Sequence, residues 1–338
     1  MRKSIQRQLN HIPENYVEII PHYPNRGQHA PFSSSEHRIA DGKGMVDDFH
    51  LFHGLHLSHY RFLAHRLQDH HPASDTVFEI NHCYRGRVGW QMRDGGAVYL
   101  GPGDMDIHTT FCCADSIMEF PLGYYEGIAI SIDVNRFAED LPTFLKDAGF
   151  SRHQLFDDFC DSDVPLTLPS GSPLDRMLEA LYRIPEKIRL PYYQLKVLEI
   201  LLLFSVWKPG ESGGKERNSD AEKTKRMKEI HAFLTENLEE RHTVEELSKK
   251  FHINTTSLKE EFKAVYGAPI ASYMKEYRMR EAVRLMEETD WSLSHIAQRV
   301  GYASQSKFTK AFKEVMQALP GAFRKEGSPF RQRVRESR

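Results

Sequence analysis

The 338-residue chain lacks most of the patterns that reveal chemistry from sequence alone. Its four cysteines, Cys83, Cys112, Cys113 and Cys160, fall at no C-x-x-C spacing. That argues against a disulfide framework and leaves a cysteine zinc site without support. Reduced thiols in a cytosolic protein are the expectation. Long apolar runs are missing as well. The longest, "LEILLLFSVW" from Leu198 to Trp207, reaches about half of the ~20 residues that span a bilayer, so it reads as a buried or interface helix and no membrane partner is expected. The opening "MRKSIQRQLNHIPENY" has no apolar segment of the kind a secretory leader needs. Neither a His-Glu-x-x-His motif nor a nucleophile elbow occurs. No catalytic residue, metal ligand or cofactor is therefore assigned.

Net charge is also nearly absent, with 45 Lys plus Arg against 47 Asp plus Glu, but its distribution is uneven. From Ala221 to Arg338 there are 23 basic against 17 acidic residues, whereas residues 1–220 hold 22 against 30. A basic C-terminal third on an acidic remainder points toward nucleic acid, although solubility alone produces such differences.

The polar stretch 1–44 reads as a loose arm. From Leu51 to Asp133, runs such as "GLHLSHYRFLA", "TVFEINHCYRGRVGWQM", "AVYLGPGDMDIHTT" and "YEGIAISID" are rich in Val, Ile, Tyr and Phe. They are broken by turns at Asp94–Gly96 and Gly101–Asp104, and short strands at this spacing predict a sandwich or barrel. Helical periodicity follows to Trp207, with Pro191 in a first turn and an apolar stripe at Leu195, Leu198, Leu202 and Val206. The segment "KPGESGGKERNSD" then reads as a flexible linker. These boundaries give an arm at 1–44, a β-rich domain with helices at 45–208, a linker at 209–220 and an all-helical domain at 221–330.

The helical domain contains a repeat. "TVEELSKKF" (Thr243–Phe251) and "SLSHIAQRV" (Ser292–Val300) carry apolar residues at matched offsets, Val244, Leu247 and Phe251 against Leu293, Ile296 and Val300. The helix after each also matches, Leu258 and Phe262 against Phe308 and Phe312. Thr243 with Glu246 forms a capping box, Ser292 caps the second copy, and Gly301 suits a left-handed turn. Helix, short turn, helix is the layout that puts its second helix in a DNA major groove. A plain bundle with a solvated polar face explains one such unit about equally well; two at a matched interval favour DNA. The connector, Ala268–Glu288, is long enough for a ~30 Å helix, about one duplex turn. A helical protein-interaction module without DNA is the competing class, and it predicts no salt-dependent DNA affinity.

Residues Met227–Arg324 resemble the AraC/XylS transcriptional regulators. The resemblance rests on "TVEELSKKFHINTTSLKEEFKAVYGAPIASYMKEYRMREAVRLM" and "SLSHIAQRVGYASQSKFTKAFKEVMQALPGAFRK", with the step Gly301–Tyr302, the "FTKAFK" helix and the closing Pro320-x-x-Phe323-Arg324. It implies that Thr256, Lys259 and Glu260 of the first reading helix, and Gln305, Ser306, Lys307, Thr309 and Lys310 of the second, face bases and phosphates. The adjacent acids Glu260 and Glu261 depart from the basic residues common in relatives. They weaken the first half unless Glu260 accepts from a cytosine amino group. Arg278, Arg280 and the tail "RQRVRESR" are candidate phosphate clamps, the tail being equally readable as a frayed end.

For the N-terminal part the resemblance is looser. "GPGD" (Gly101–Asp104) and "FPLGYYEGI" (Phe120–Ile128) are similar to the cupin-like sensors of many relatives. The implied fold class is α+β: an N-terminal β-rich cupin-like barrel with dimerisation helices, then an all-α domain with two helix-turn-helix units. The implied partners are double-stranded operator DNA, a small-molecule effector, RNA polymerase and a second copy of the chain through Leu195–Val206, in the cytoplasm at the nucleoid. His82, Tyr84, Trp90, Tyr124, Tyr125 and Glu126 are the effector-site candidates, of which strand alternation should turn about half outward. Thirteen of the 18 histidines precede residue 110. They keep open a metal-dependent cupin enzyme, or a metal or pH sensor, fused to the DNA-binding part. His53, His56 and His59 do not converge on a strand, because a spacing of three alternates faces.

Overall fold

The computed structural model describes residues 2–23, 36–39, 41–91, 97–151, 165–206 and 220–326. The chain divides into two compact units, 1–222 and 223–338. Residues 209–219 of the expected linker 209–220, the Asp94–Gly96 turn, Cys160 and the "RQRVRESR" tail lie outside the described residues, and Asp220 already belongs to a helix.

In the first unit, helix α1 (Arg2–Gln8) precedes strands β1 (Tyr16–His22), β2 (Glu36–Arg38), β3 (Lys43–Phe52), β4 (Leu55–Leu63), β5 (Arg66–His70), β6 (Val77–Gly86), β7 (Val88–Gln91), β8 (Ala97–Leu100), β9 (Met105–Thr109), β10 (Ile117–Glu119) and β11 (Tyr125–Asp133). Helices α2 (Val134–Glu139) and α3 (Thr143–Asp147), strand β12 (Leu166–Leu168), and helices α4 (Pro173–Glu179) and α5 (Arg189–Phe204) follow. The strands form two sheets, ordered β1-β3-β4-β11-β6-β9-β12 and β2-β5-β10-β7-β8. No ladder joins them into a closed barrel among the described residues, so the expected barrel is a packing of two sheets.

Alternation divides the large sheet's side chains between two cores. Leu55 and Leu57 of β4, Phe78 and Ile80 of β6, and Ile128, Ile130 and Ile132 of β11 pack with Tyr193, Val197, Ile200, Leu201 and Phe204 of α5. Phe62, Cys83 and Tyr125 pack instead with Val88, Trp90, Val98, Leu100 and Met118 of the small sheet. The unit is thus three layers: small sheet, large sheet, helices.

One expectation needs correction. Residues 1–44 are not a loose arm where they are described. Ile5, Leu9 and Ile12 are fully or almost fully buried with Met45, and β1 pairs in parallel with β3. Three apolar residues spaced along a polar segment suffice to dock it. The Leu195–Val206 stripe, expected to meet a second copy, lies off the core face of its helix. Leu195 and Val206 are 71% and 73% exposed, while Tyr193, Val197, Ile200, Leu201 and Phe204 point inward.

The second unit is helical: α6 (Asp220–Glu236), α7 (Val244–Lys250), α8 (Thr255–Tyr266), α9 (Ile270–Glu288), α10 (Leu293–Arg299), α11 (Gln305–Met316) and α12 (Pro320–Glu326). The repeat is visible in the backbone. Thr243 and Glu246 close the capping box of α7, and Ser292 caps α10 by accepting from His295 N. After α7 the left-handed turn residue is His252 (φ +50°); after α10 it is Gly301 (φ +76°). A Cβ at Gly301 would lie 2.4 Å from Leu238 O, so this copy has room only for glycine.

Candidate functional site

Helix α11 has two faces. Phe308, Ala311 and Phe312 are buried against Met279, Ala282, Ile296, Ala297 and Val300, with Val315 packed at the edge. Gln305, Ser306, Lys307 and Lys310 are exposed, and Thr309 is half-buried. Ser304 caps the helix by accepting from Lys307 N. The only acid on α11, Glu314, pairs with Lys275 of α9 at 2.7 Å, and that bond holds its carboxyl below the usual range. The polar side of α11 therefore presents amides, hydroxyls and cations.

In the first copy, Thr256, Lys259 and Glu260 of α8 are all exposed. The two adjacent acids are not equivalent. Glu261 turns toward Arg226 of α6, 3.9 Å away, so Glu260 alone stands on the outer face. Asn254 caps α8 by accepting from Ser257 N at 2.8 Å.

Arg278 is not a phosphate clamp. It is buried, with Nη2 donating to Glu240 O at 2.7 Å and Nη1 to Val300 O and Gly301 O at 3.5 and 3.4 Å. Arg241 donates from Nε to Gly301 O at 2.8 Å and lies over the Tyr302 ring. Two guanidinium groups thus satisfy the carbonyls that the C-terminus of α10 leaves open. Burial, with Arg241 nearby, lowers the pKa of Arg278 from its ordinary value. Arg280 lies beside the rings of Tyr273 and Tyr277.

In the first unit a cavity of about 240 Å³ lies between the sheets, lined by Asp48, His56, Tyr60, His71, Glu79, Asn81, Trp90, Cys113, Tyr125, Ser131 and others. Of the six effector-site candidates, Trp90 and Tyr125 reach it. His82, Tyr84 and Glu126 belong to a second polar cluster on the helix-facing side. His82 Nε2 is 3.0 Å from Asp175, and His82 Nδ1 is 2.9 Å from Tyr182 Oη. Glu126 lies 3.3 Å from both His59 Nε2 and Arg85 Nη1, and Tyr84 stacks on Tyr182. Tyr124 packs near Ile5 and Leu9 of the N-terminal segment, away from both. Tyr125 and Glu126 are neighbours on one strand and cannot share a face. A bulge adds to the division: Tyr84 has no partner in the β6–β11 register, so Arg85 falls on the side of His82 rather than that of Cys83.

The cavity residues missed in the sequence carried a signal. Once Tyr125 points inward, the alternation on β11 and its cross-strand partners on β6 select Ser131 and Glu79 as inward. His53, His56 and His59 do diverge as expected. His53 is near Glu139 and Asp140, His56 lines the cavity, and His59 meets Glu126. His56 instead joins His50 and Asp48 across the β3–β4 ladder.

Burial lowers the pKa values of His56, His59 and His82 against the pull of their carboxylate partners. In the unfolded chain these imidazoles protonate near their ordinary value of 6.5. Unfolding below that pH therefore takes up protons. The stability they hold above pH 6.5 is lost as pH falls toward the lower folded values. Differential scanning calorimetry of the full chain from pH 7 to pH 5 should show the first unit's transition falling by several degrees, at ~2–4 °C per kcal/mol for a unit of this size. Cys113 behaves otherwise. Burial raises its pKa, but the charge and hydrogen bond of His108, with that of His71, outweigh burial and hold it below the usual thiol value. His71 is correspondingly pushed up to about 10.

Residues 247–326 match the family model of a helix-turn-helix domain. Over 100 residues the chain is 32% identical to an uncharacterised HTH-type transcriptional regulator of Escherichia coli, YdiP, covering 30% of this chain and 33% of that protein. Over 87 residues it is 34% identical to a putative AraC-like transcription regulator of Streptomyces antibioticus, covering 26% and 29%. A longer match, 253 residues at 23% identity, is to the virulence regulon transcriptional activator VirF of Yersinia enterocolitica, covering 71% of this chain and 86% of that protein. The chain spans about a third of the length of the first two relatives. Among the described residues, no helix is long and apolar enough to cross a membrane.

Proposed function

We propose, from a C-terminal unit that is a helix-turn-helix domain of the AraC type, that this chain is a sequence-specific DNA-binding transcriptional regulator responsive to a small molecule held in its N-terminal unit. The observation that carries the reading is the paired unit. Two capped helices, α8 and α11, follow matched short helices and turns, and each leaves a polar face exposed. Gln305 suits adenine, Lys307 and Lys310 suit guanine or phosphate, and Ser306 and Thr309 suit either. Thr256 and Lys259 offer the same kinds of contact in the weaker first half, where Glu260 suits only the amino group of cytosine. Nineteen residues of α9 extend ~28 Å at 1.5 Å each, near the ~34 Å of one duplex turn, which supports two successive major grooves.

The effector reading is supported by the cavity between the sheets, whose walls combine apolar rings with convergent polar groups. Trp90 and Tyr125 are the candidates retained there. A homodimer through the exposed Leu195, Leu202 and Val206 stripe, and contact with RNA polymerase, complete the proposed regulator, acting in the cytoplasm without catalysis.

Footprinting of the full chain on its own upstream DNA tests the reading. Two protected segments about one turn apart, with affinity falling steeply from 50 to 200 mM salt, are expected, since each neutralised phosphate contributes ~0.9 to the log–log slope. Salt-independent retention, or none, would favour a protein-interaction module.

A further inference from the structure

One group of side chains at the cavity wall lies in the first unit, outside the proposed DNA-reading helices. Glu79 of β6, His108 of β9 and Cys113 place a carboxylate oxygen, an imidazole nitrogen and a sulfur within 4.8 Å of one another. His108 Nε2 is 3.1 Å from Cys113 Sγ and 3.7 Å from Glu79 Oε2, and His71 Nε2 is 3.7 Å from the same sulfur. A tetrahedral ion with bonds of ~2.0–2.1 Å to nitrogen or oxygen and ~2.3 Å to sulfur sets donor–donor edges of about 3.5 Å. The 3.1 and 3.7 Å separations from His108 to Cys113 and Glu79 bracket that edge; His71 approaches the sulfur but stands outside the three mutually close donors.

The far atom of each non-sulfur donor is already held. His108 Nδ1 donates to Asp106 at 2.9 Å, and Ser131 Oγ donates to Glu79 Oε1 at 2.7 Å. Each bond leaves the second atom, His108 Nε2 or Glu79 Oε2, turned toward Cys113. Partners of this kind fix the orientation and tautomer of metal-ligating imidazoles and carboxylates. The group is also buried: His108, Cys113 and Asp106 are 2%, 3% and 0% exposed. Two carboxylates and a thiol enclosed with two imidazoles form an environment that a divalent cation neutralises.

We propose that Cys113, His108 and Glu79 bind one divalent ion of the zinc and cobalt class, inside the N-terminal unit, with a fourth position left to water and Asp106 and Ser131 as positioning residues. Thiolate and imidazole donors together select such borderline-soft ions over magnesium or calcium. Binding takes Cys113 as the thiolate and His108 through an unprotonated Nε2, and the protons displaced from the pair go to solvent. His71, half-buried on the cavity wall, gives the ion a way in. The proposal is independent of the DNA-reading assignment.

Anaerobic titration of the metal-free full chain with Co(II) tests it. The expected result is a thiolate-to-cobalt charge-transfer band that saturates at one equivalent and is displaced by Zn(II). Cys113→Ser should abolish the band, while Cys112→Ser and Cys160→Ser keep it. Asp106→Asn should keep the band but weaken affinity by ~10–100-fold. Absence of the band in the unmodified chain overturns the proposal without recourse to any variant. So does a band that survives Cys113→Ser or is lost with Cys112→Ser. Cobalt bound without thiolate character overturns it too, and loss of that cobalt in His56→Ala would assign it to Asp48, His50 and His56.

Discussion

Replacing Gln305 and Lys310 together by alanine is expected to weaken specific DNA binding by ~2–6 kcal/mol, about 30-fold to 10⁴-fold, at ~1–3 kcal/mol for each good base contact. Both side chains are exposed on α11, so the change removes the proposed contacts to DNA and leaves the packing of Phe308, Ala311 and Phe312 intact. Surface substitutions of this kind shift stability by no more than ~0.5 kcal/mol. A gel-shift titration on the operator and on unrelated DNA separates the two contributions. The Gln305 part should appear only on the operator, whereas a Lys310 contact to phosphate weakens both and lowers the salt slope by ~1. Operator affinity unchanged in the double variant would remove α11 from the interface.

Arg278→Leu is expected to destabilise the C-terminal unit by ~3–5 kcal/mol. The guanidinium serves Glu240 O, Val300 O and Gly301 O from a buried position. Leucine fills part of the space but leaves three carbonyls without this donor, and stranded buried acceptors cost ~1–3 kcal/mol each. Arg241 still reaches Gly301 O, which limits the loss there. Arg278→Lys should recover only a fraction, because a single ammonium lacks the fork that spans the end of α9's neighbour helix and the preceding loop together. Urea denaturation of the full chain followed by helical circular dichroism measures both. Equal midpoints for Arg278→Leu and the unmodified chain would show that the three bonds are not needed.

Most of the C-terminal unit was legible because its signals are local. Caps, helical spacing and an offset repeat each involve residues a few positions apart, and the structure puts Thr243, Ser292 and Gly301 where those rules require them. Arg278 was misread for a related reason. An arginine on a connector looks like a phosphate contact until the carbonyls of a helix 22 residues away turn out to surround it. The N-terminal unit was legible as strands, and less so as a site. Which of Tyr125 and Glu126 points inward depends on sheet partners far apart in sequence, and the bulge at Tyr84 changes the parity of β6 midway. Cys113, His108, Glu79 and His71 come from four segments, so no spacing rule connects them. Ile5, Leu9 and Ile12 were hidden by the polar residues between them.

Strand β4 presents His56 to the cavity and His59, three residues on, to Glu126 on the opposite side. Strand β6 likewise carries Glu79 on one side and His82 on the other, the latter bonded to Asp175 of α4. The large sheet is therefore a common wall with a polar lever on each surface. A close-packed strand does not deform one side chain at a time. A guest that displaced β6 from within would pull on the His82–Asp175 bond that holds α4 from without. A signal from the proposed effector would then need no moving loop, since the wall that lines the cavity also carries the bond to α4.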